Sequence, residues 1–216
     1  SAGESLGVVG PSAAGKTSLV RAILGVWPLA AGTVRIDGAE IGQWDRDNLG
    51  PYIGYLPQDI ELFDGSIAEN ICRFTDQNAD KIIDASKSAG IHDMVLRLPE
   101  GYDTQIGATS GILSAGQRQR VGLARAIYDN PRLIILDEPN SNLDDQGERD
   151  LLNALRRMKE LGSTTIIITH RTSILSLVDK LLVMREGVAN RFGKRDVVIK
   201  ELSNENSNVT KLQKNT

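Results

Sequence analysis

One cysteine, Cys72, and two histidines, His92 and His170, are all that 216 residues offer of the softer metal ligands. A disulfide within the chain needs a second cysteine, so none can form, and a Cys-rich zinc site is excluded with it. Two histidines leave little for a His-based metal site. Long apolar runs are missing too. The longest candidates, Leu133–Leu136 and Thr165–Thr169, are strand-sized, against the ~18 residues a membrane-spanning helix needs. The chain opens Ser1-Ala2-Gly3-Glu4, without the basic and apolar regions of a secretory signal. It lacks an initiator Met, which points to a piece of something longer. Positive charge is not in excess: 25 basic against 28 acidic side chains give a net charge of −3. Coating DNA or an anionic membrane calls for basic stretches instead. The expectation is an intracellular, soluble chain with no nucleic-acid partner.

What is present is ordinary for a globular domain: 40% hydrophobic and 25% charged residues. The length suits one domain, or one domain with a subdomain. Leu6–Val9 reads as a buried strand that breaks into Gly10-Pro11. Lys16–Leu24 carries apolar residues at helical spacing, and Gly25 ends it. Thr33–Ile36 followed by Asp37-Gly38 predicts a small hairpin. Ile53–Leu56 is a strand stopped by Pro57. Helices then dominate, over Ser66–Arg73, Ala79–Ala89, Ile91–Leu98 and Ala115–Tyr128. Alternation of strand and helix resumes with strands Leu133–Asp137, Thr164–Thr169 and Leu181–Met184 and helices Gln146–Leu161 and Thr172–Val178. Val188–Phe192 fits an edge strand. Strands separated by helices imply parallel βαβ units. The layout is an α/β core with a helical insertion. From Ser203 the chain loses its apolar content, and 203–216 reads as a disordered tail.

Three stretches carry chemistry. Gly10-Pro11-Ser12-Ala13-Ala14-Gly15-Lys16-Thr17 matches G-x-x-x-x-G-K-[ST] between a strand and a helix. Glycines let the loop wrap with its amides inward, and these donors and the helix N-terminus cradle phosphates. Lys16 reaches the β- and γ-phosphates as a point charge, and the Thr17 hydroxyl suits Mg²⁺. Leu133–Leu136 is a continuous apolar strand ending in Asp137-Glu138. The carboxyl end of a buried parallel strand is where open α/β sheets bind ligands. There Asp137 would hold Mg²⁺ and Glu138 would polarise an attacking water. Leu113-Ser114-Ala115-Gly116-Gln117 precedes a helix. Ser114 is a good N-cap, and small residues behind it expose helix amides, a second anion site without a lysine.

The order of these motifs resembles an ATP-binding-cassette (ABC) ATPase. Gly10–Thr17, with Ser18 behind it, is similar to the Walker A loop, and Leu133–Glu138 to Walker B with its glutamate. Leu113–Gln117 is similar to the signature sequence. Gln58 resembles the Q-loop glutamine, Ser141-Asn142-Leu143-Asp144 the D-loop, and His170 the switch histidine. The stretches Ile53-Gly54-Tyr55-Leu56-Pro57-Gln58-Asp59 and Asp137-Glu138-Pro139-Asn140-Ser141-Asn142-Leu143-Asp144 resemble exporters of bacterial type I secretion systems, the protease and lipase branch. The resemblance implies a P-loop NTPase (RecA-like) parallel-sheet core over about 1–58 and 129–202, with an α-helical subdomain over about 59–128. Only nine residues precede Gly10, so the family's N-terminal β-subdomain is expected to be truncated and the adenine-stacking aromatic missing.

By the same resemblance two cassettes dimerise head to tail and ATP is held between them. The loop of one chain, with Lys16, Thr17, Ser18 and Gln58, takes the nucleotide, and Ser114, Ala115, Gly116 and Gln117 of the other contact its γ-phosphate. Glu138 is implied as the base, with His170, Lys16 and Gln58 beside it. Thr17, Gln58 and Asp137 are implied at Mg²⁺, and Asp144 in coupling the two sites. The alternative for His170 is a polar strand end, and Asp144 could also cap the helix from Gln146. The resemblance further implies a transmembrane domain upstream, membrane-fusion and outer-membrane partners, and a place on the cytoplasmic face of the bacterial inner membrane. Two departures stand out. Ala115 replaces the family's usual glycine, which disfavours a positive φ, and the loop Gly107–Gly111 lacks the acidic residue many exporters carry. Competing readings are a soluble ABC-type ATPase acting on nucleic acid or ribosomes, a hydrolysis-incompetent nucleotide-binding regulator, and a P-loop kinase, against which Ser114–Gln117 speaks.

Overall fold

The computed structural model describes residues 1–107 and 111–213. The chain runs β1 (Ser5–Val9), α1 (Lys16–Ile23), β2 (Arg35–Ile36), β3 (Ala39–Glu40), α2 (Arg46–Leu49) and β4 (Ile53–Leu56). The helical stretch follows: β5 (Gly65–Ser66), α3 (Ile67–Ile71), α4 (Ala79–Ser88), α5 (His92–Val95), β6 (Gln105–Ile106) and α6 (Ala115–Ile127). Then come β7 (Leu133–Asp137), α7 (Asp145–Glu160), β8 (Thr164–Ile168), α8 (Thr172–Leu175), β9 (Lys180–Arg185), β10 (Val188–Lys194) and α9 (Arg195–Gln213).

A six-stranded sheet in the order β10-β9-β1-β8-β7-β4 forms the core. Strands β9, β1, β8, β7 and β4 are mutually parallel, and β10 closes one edge antiparallel to β9. Both faces of the central strands are covered, which is why they read as unbroken apolar runs. Side chains alternate between the faces. On β7, Ile134 and Leu136 join the cluster under α6 and α7, while Ile135 joins Val8, Val20 and Ile168 on the α1 face. These side chains are fully buried, and each contributes about 1.5–3 kcal/mol by leaving water.

The strand order positions the site. Neighbours β1, β8, β7 and β4 are far apart in sequence, yet their carboxyl ends lie side by side and lead into Gly10, His170, Glu138 and Gln58. On the outer face α6 lies against β4 so closely that a Cβ on Gly54 would stand 1.8 Å from the Ala126 carbonyl oxygen. Only glycine fits at that crossing.

Several expectations are corrected. The segment from Ile91 to Leu98 is helical only over His92–Val95, and Thr172–Val178 only over Thr172–Leu175. Both are single turns closed by packing, with too few residues for a sustained helix. The two-stranded pairing of β5 with β6 was not foreseen, because two residues carry no readable alternation. Within the expected tail, α9 carries the backbone as far as Gln213, the last described residue. Val198 is buried, so the first part of that helix docks, and propagation from a docked nucleus adds a hydrogen bond for each residue ordered. The loop that lacks an acidic residue includes 108–110, outside the described residues.

Candidate functional site

The phosphate-type loop leaves β1 at Gly10, whose φ of 157° is joined by Ala13 at 63° and Gly15 at 90°. A Cβ on Gly10 would stand 2.3 Å from the Met184 carbonyl oxygen, so the loop can hug β9 only with glycine there. Gly15 is the N-cap of α1 and offers no side-chain acceptor. The helix therefore keeps free amides at its positive end, facing the loop interior. Lys16 bends back over the loop, its Nζ donating to the carbonyls of Gly10 (2.7 Å) and Pro11 (2.9 Å).

Thr17 Oγ1 donates to Asp137 Oδ2 at 2.9 Å across the base of this cleft. Asp137 is buried. Burial pushes its carboxyl above the usual carboxylate range, and the Thr17 hydroxyl and the charge of Lys16 pull it back in part. The pair offers two hard oxygen donors on one side and an open cleft on the other. That suits Mg²⁺, which keeps several waters and takes its remaining ligands from phosphates. No group of three or more His, Cys, Asp or Glu able to hold a metal occurs among the described residues.

Glu138 follows in the left-handed region, φ 49°, with its amide donating to the Ile168 carbonyl at 2.9 Å. His170 Nε2 lies 3.2 Å from Glu138 Oε1. Burial pushes the Glu138 carboxyl up. His170 opposes this, the Asp137 carboxylate adds to it, and Lys16 opposes it. A carboxylate so placed can accept a proton nearer neutral pH than an exposed one. Ser12, Ala13, Ala14, Gly15, Lys16, Thr17, Ser18, Gln58, Asp137, Glu138 and His170 line a single cleft of about 320 Å³. These eleven residues thus lie around one cleft.

The signature-like residues do not join them. Ser114 caps α6 reciprocally: its hydroxyl accepts from the Gln117 amide at 3.3 Å, and Gln117 Oε1 accepts from the Ser114 amide at 2.9 Å. Ser114, Gly116, Gln117 and Asp144 line a separate hollow of about 380 Å³ with Arg120 and Asn142. Ala115 is the first residue of α6 and is not among the positive-φ residues, so the missing glycine costs no backbone strain. Asp144 caps α7 through the Gly147 amide (2.7 Å) and pairs with Arg120 (2.8 Å). Its carboxyl sits below the usual range for that first reason and, further, because of the Arg120 charge. Arg120 and Gln119, both overlooked in the sequence, belong to this region. They stand in the polar run Gln117-Arg118-Gln119-Arg120 at the start of α6, which carries no local sign that Gln119 is buried.

The family description of ABC transporters matches residues 1–141. The chain belongs to the ABC transporter family. It is 54% identical over 199 residues to the "Type I secretion system ATP-binding protein PrsD" of Rhizobium meliloti, covering 92% of this chain and 34% of that protein. It is 39% identical to the human "ATP-binding cassette sub-family B member 6", over 91% of this chain and 23% of that one. Among solved structures, a bacterial Atm1-family ABC exporter with ATP bound superposes with a TM-score of 0.84 at 34% identity, over 93% of this chain and 35% of that chain. The chain thus spans between about a quarter and about a third of the length of these relatives. The fold is that of a P-loop NTPase, as the motif order implied. No helix among the described residues is long and apolar enough to cross a membrane.

Proposed function

We propose that this ABC domain binds and hydrolyses ATP to power a membrane exporter, and that the exporter is a type I protein secretion system. The observation that carries the reading is the single cleft in which Lys16, Thr17, Asp137, Glu138 and His170 converge. The 54% identity to a type I secretion protein supports protein as the cargo. Similarity to sub-family B member 6 and to an Atm1-family exporter favours a second reading, an exporter of another substrate class.

In this reading Lys16 gives up the Gly10 and Pro11 carbonyls for the β- and γ-phosphates, and the amides at the start of α1 take the remaining oxygens. Thr17 and Asp137 would hold Mg²⁺, with Gln58 in the same cleft, and the ion would neutralise phosphate charge there. Glu138 accepts the proton of the attacking water, and His170 orients that carboxylate and reaches the γ-phosphate. Ser114 and the amides of Ala115 and Gly116 from a second copy, flanked by Gln117 and Asp144, close over the nucleotide. The homodimer opens once phosphate leaves. A transmembrane domain upstream, membrane-fusion and outer-membrane partners and a site at the cytoplasmic face of the inner membrane complete the proposal.

The test is Mg²⁺-dependent ATP hydrolysis as a function of protein concentration, with Glu138→Gln as control. Specific activity should rise with concentration and vanish in the variant. Turnover independent of concentration would count against the two-copy site. Nucleotide binding without turnover would favour a hydrolysis-incompetent regulator.

A further inference from the structure

Gln119 lies on the inner face of α6, behind the tip formed by Ser114–Gln117. It is 1% exposed, and its amide is paired at both ends. Nε2 donates to the Pro139 carbonyl at 3.0 Å and to the Glu138 carbonyl at 3.4 Å. Oε1 accepts from Asn142 Nδ2 at 3.3 Å. A buried amide has to find such partners, and here all of them lie in one segment, from Glu138 to Asn142.

That segment needs holding. Glu138 sits at φ 49°, a region that non-glycine residues avoid unless the surroundings impose it. One side is fixed by the end of β8, where the Ile168 carbonyl accepts from the Glu138 amide and Thr169 Oγ1 donates to Asn140 Oδ1, both at 2.9 Å. The other side is fixed by α6. The approach is close, since a Cβ on Gly116 would stand 2.7 Å from the Asn142 carbonyl oxygen. The same helix therefore carries the Ser114 tip at one end and grips the backbone of Glu138 along its side.

We propose that Gln119 is a positioning residue for Glu138. Its amide keeps the strained backbone in the one geometry that sets the carboxylate beside His170. It also ties that geometry to the placement of α6, the helix whose tip meets the nucleotide of a second copy. Closure over one nucleotide is thereby felt at the Glu138 of the other. The inference rests on the reading of Glu138 as the base.

Gln119→Met keeps the side-chain volume and removes both donor and acceptor. The expected result is kcat lower by about ten- to a hundredfold, the cost of a misplaced catalytic group. KM for MgATP should stay within about twofold, and so should ATP-driven association measured in the Glu138→Gln background. A purely structural role would instead loosen the Ser114 tip, so a parallel rise in KM and loss of association would overturn the proposal, as would an unchanged kcat. Asn142→Asp provides a second, exposed position that folding tolerates. It replaces the amide that donates to Gln119 Oε1 with a carboxylate oxygen that repels it, and should lower kcat by about two- to tenfold. Combined with Gln119→Met it should add little, because both act through one bond. An unchanged kcat in Asn142→Asp also counts against the proposal. Absence of Mg²⁺-dependent turnover in the unsubstituted protein would sink the hydrolase reading itself, a result distinct from normal turnover in Gln119→Met.

Discussion

The amino ends of α1 and α6 are built on opposite principles. Helix α1 begins at Gly15, which has no side chain to cap it, and Lys16 rests on the carbonyls of its own loop. Helix α6 begins at Ser114 and is capped twice over by its exchange with Gln117. An uncapped helix start leaves amides waiting for an acceptor from outside. A self-capped start is complete without one, and it can lend only its hydroxyl lone pairs, its remaining amides and its dipole. The first surface suits tight capture of a phosphate chain by one protein. The second suits a weaker contact that matters only when another chain presents the phosphate.

Breaking the chemistry while sparing both surfaces should have the largest effect. Glu138→Gln is expected to lower ATP turnover by about 10²- to 10⁴-fold, with nucleotide still bound in equilibrium titration. Lys16→Met attacks the α1 surface alone. It should weaken ATP binding by about ten- to a hundredfold, the worth of a charge-assisted contact, as calorimetry would read. Ser114→Ala attacks the α6 surface alone. Nucleotide affinity of the single chain should hold while ATP-driven association falls, and denaturant unfolding should show a loss of about 1 kcal/mol from the missing cap. Equal losses of single-chain affinity in the last two variants would erase the contrast.

The smallest effect is in the pH profile. The folded Glu138 carboxyl lies above its ordinary value because burial and Asp137 outweigh His170 and Lys16. A base works deprotonated, so kcat should fall as pH drops through this raised value, giving an acid limb above the ordinary carboxylate range. Lys16→Met removes a charge that opposes the shift and should move that limb further up. For stability the sign is reversed. A raised carboxyl binds its proton more readily folded than unfolded, so this group favours folding as pH falls from the raised value toward the ordinary one.

Much of this was legible in the residues. The glycines and lysine of the loop, the apolar run before Asp137 and the cap at Ser114 are local signals, and each stands where the spacing put it. The short helices after Ile91 and Thr172 were overdrawn, because packing rather than propensity closes a single turn. The start of α9 has the complementary origin: docking of Val198 supplies a nucleus that composition does not advertise. Gln119 escaped notice because a glutamine in a helix usually faces water, and only the approach of residues 138–142 gives it partners.

By itself the sequence determined what is decided within a few residues: turn geometry, capping, the apolar period of each strand and the chemical character of each loop. These depend on sterics and hydrogen bonds between near neighbours. The tertiary structure decided the order β1-β8-β7-β4, which brings Gly10, His170, Glu138 and Gln58 to one edge of the sheet. It also decided that Ser114 opens onto a different hollow while its helix grips the backbone of Glu138. Those relations join residues from 19 to 120 positions apart, and they are fixed by which apolar faces bury together, a property of the whole core and of no single stretch of it.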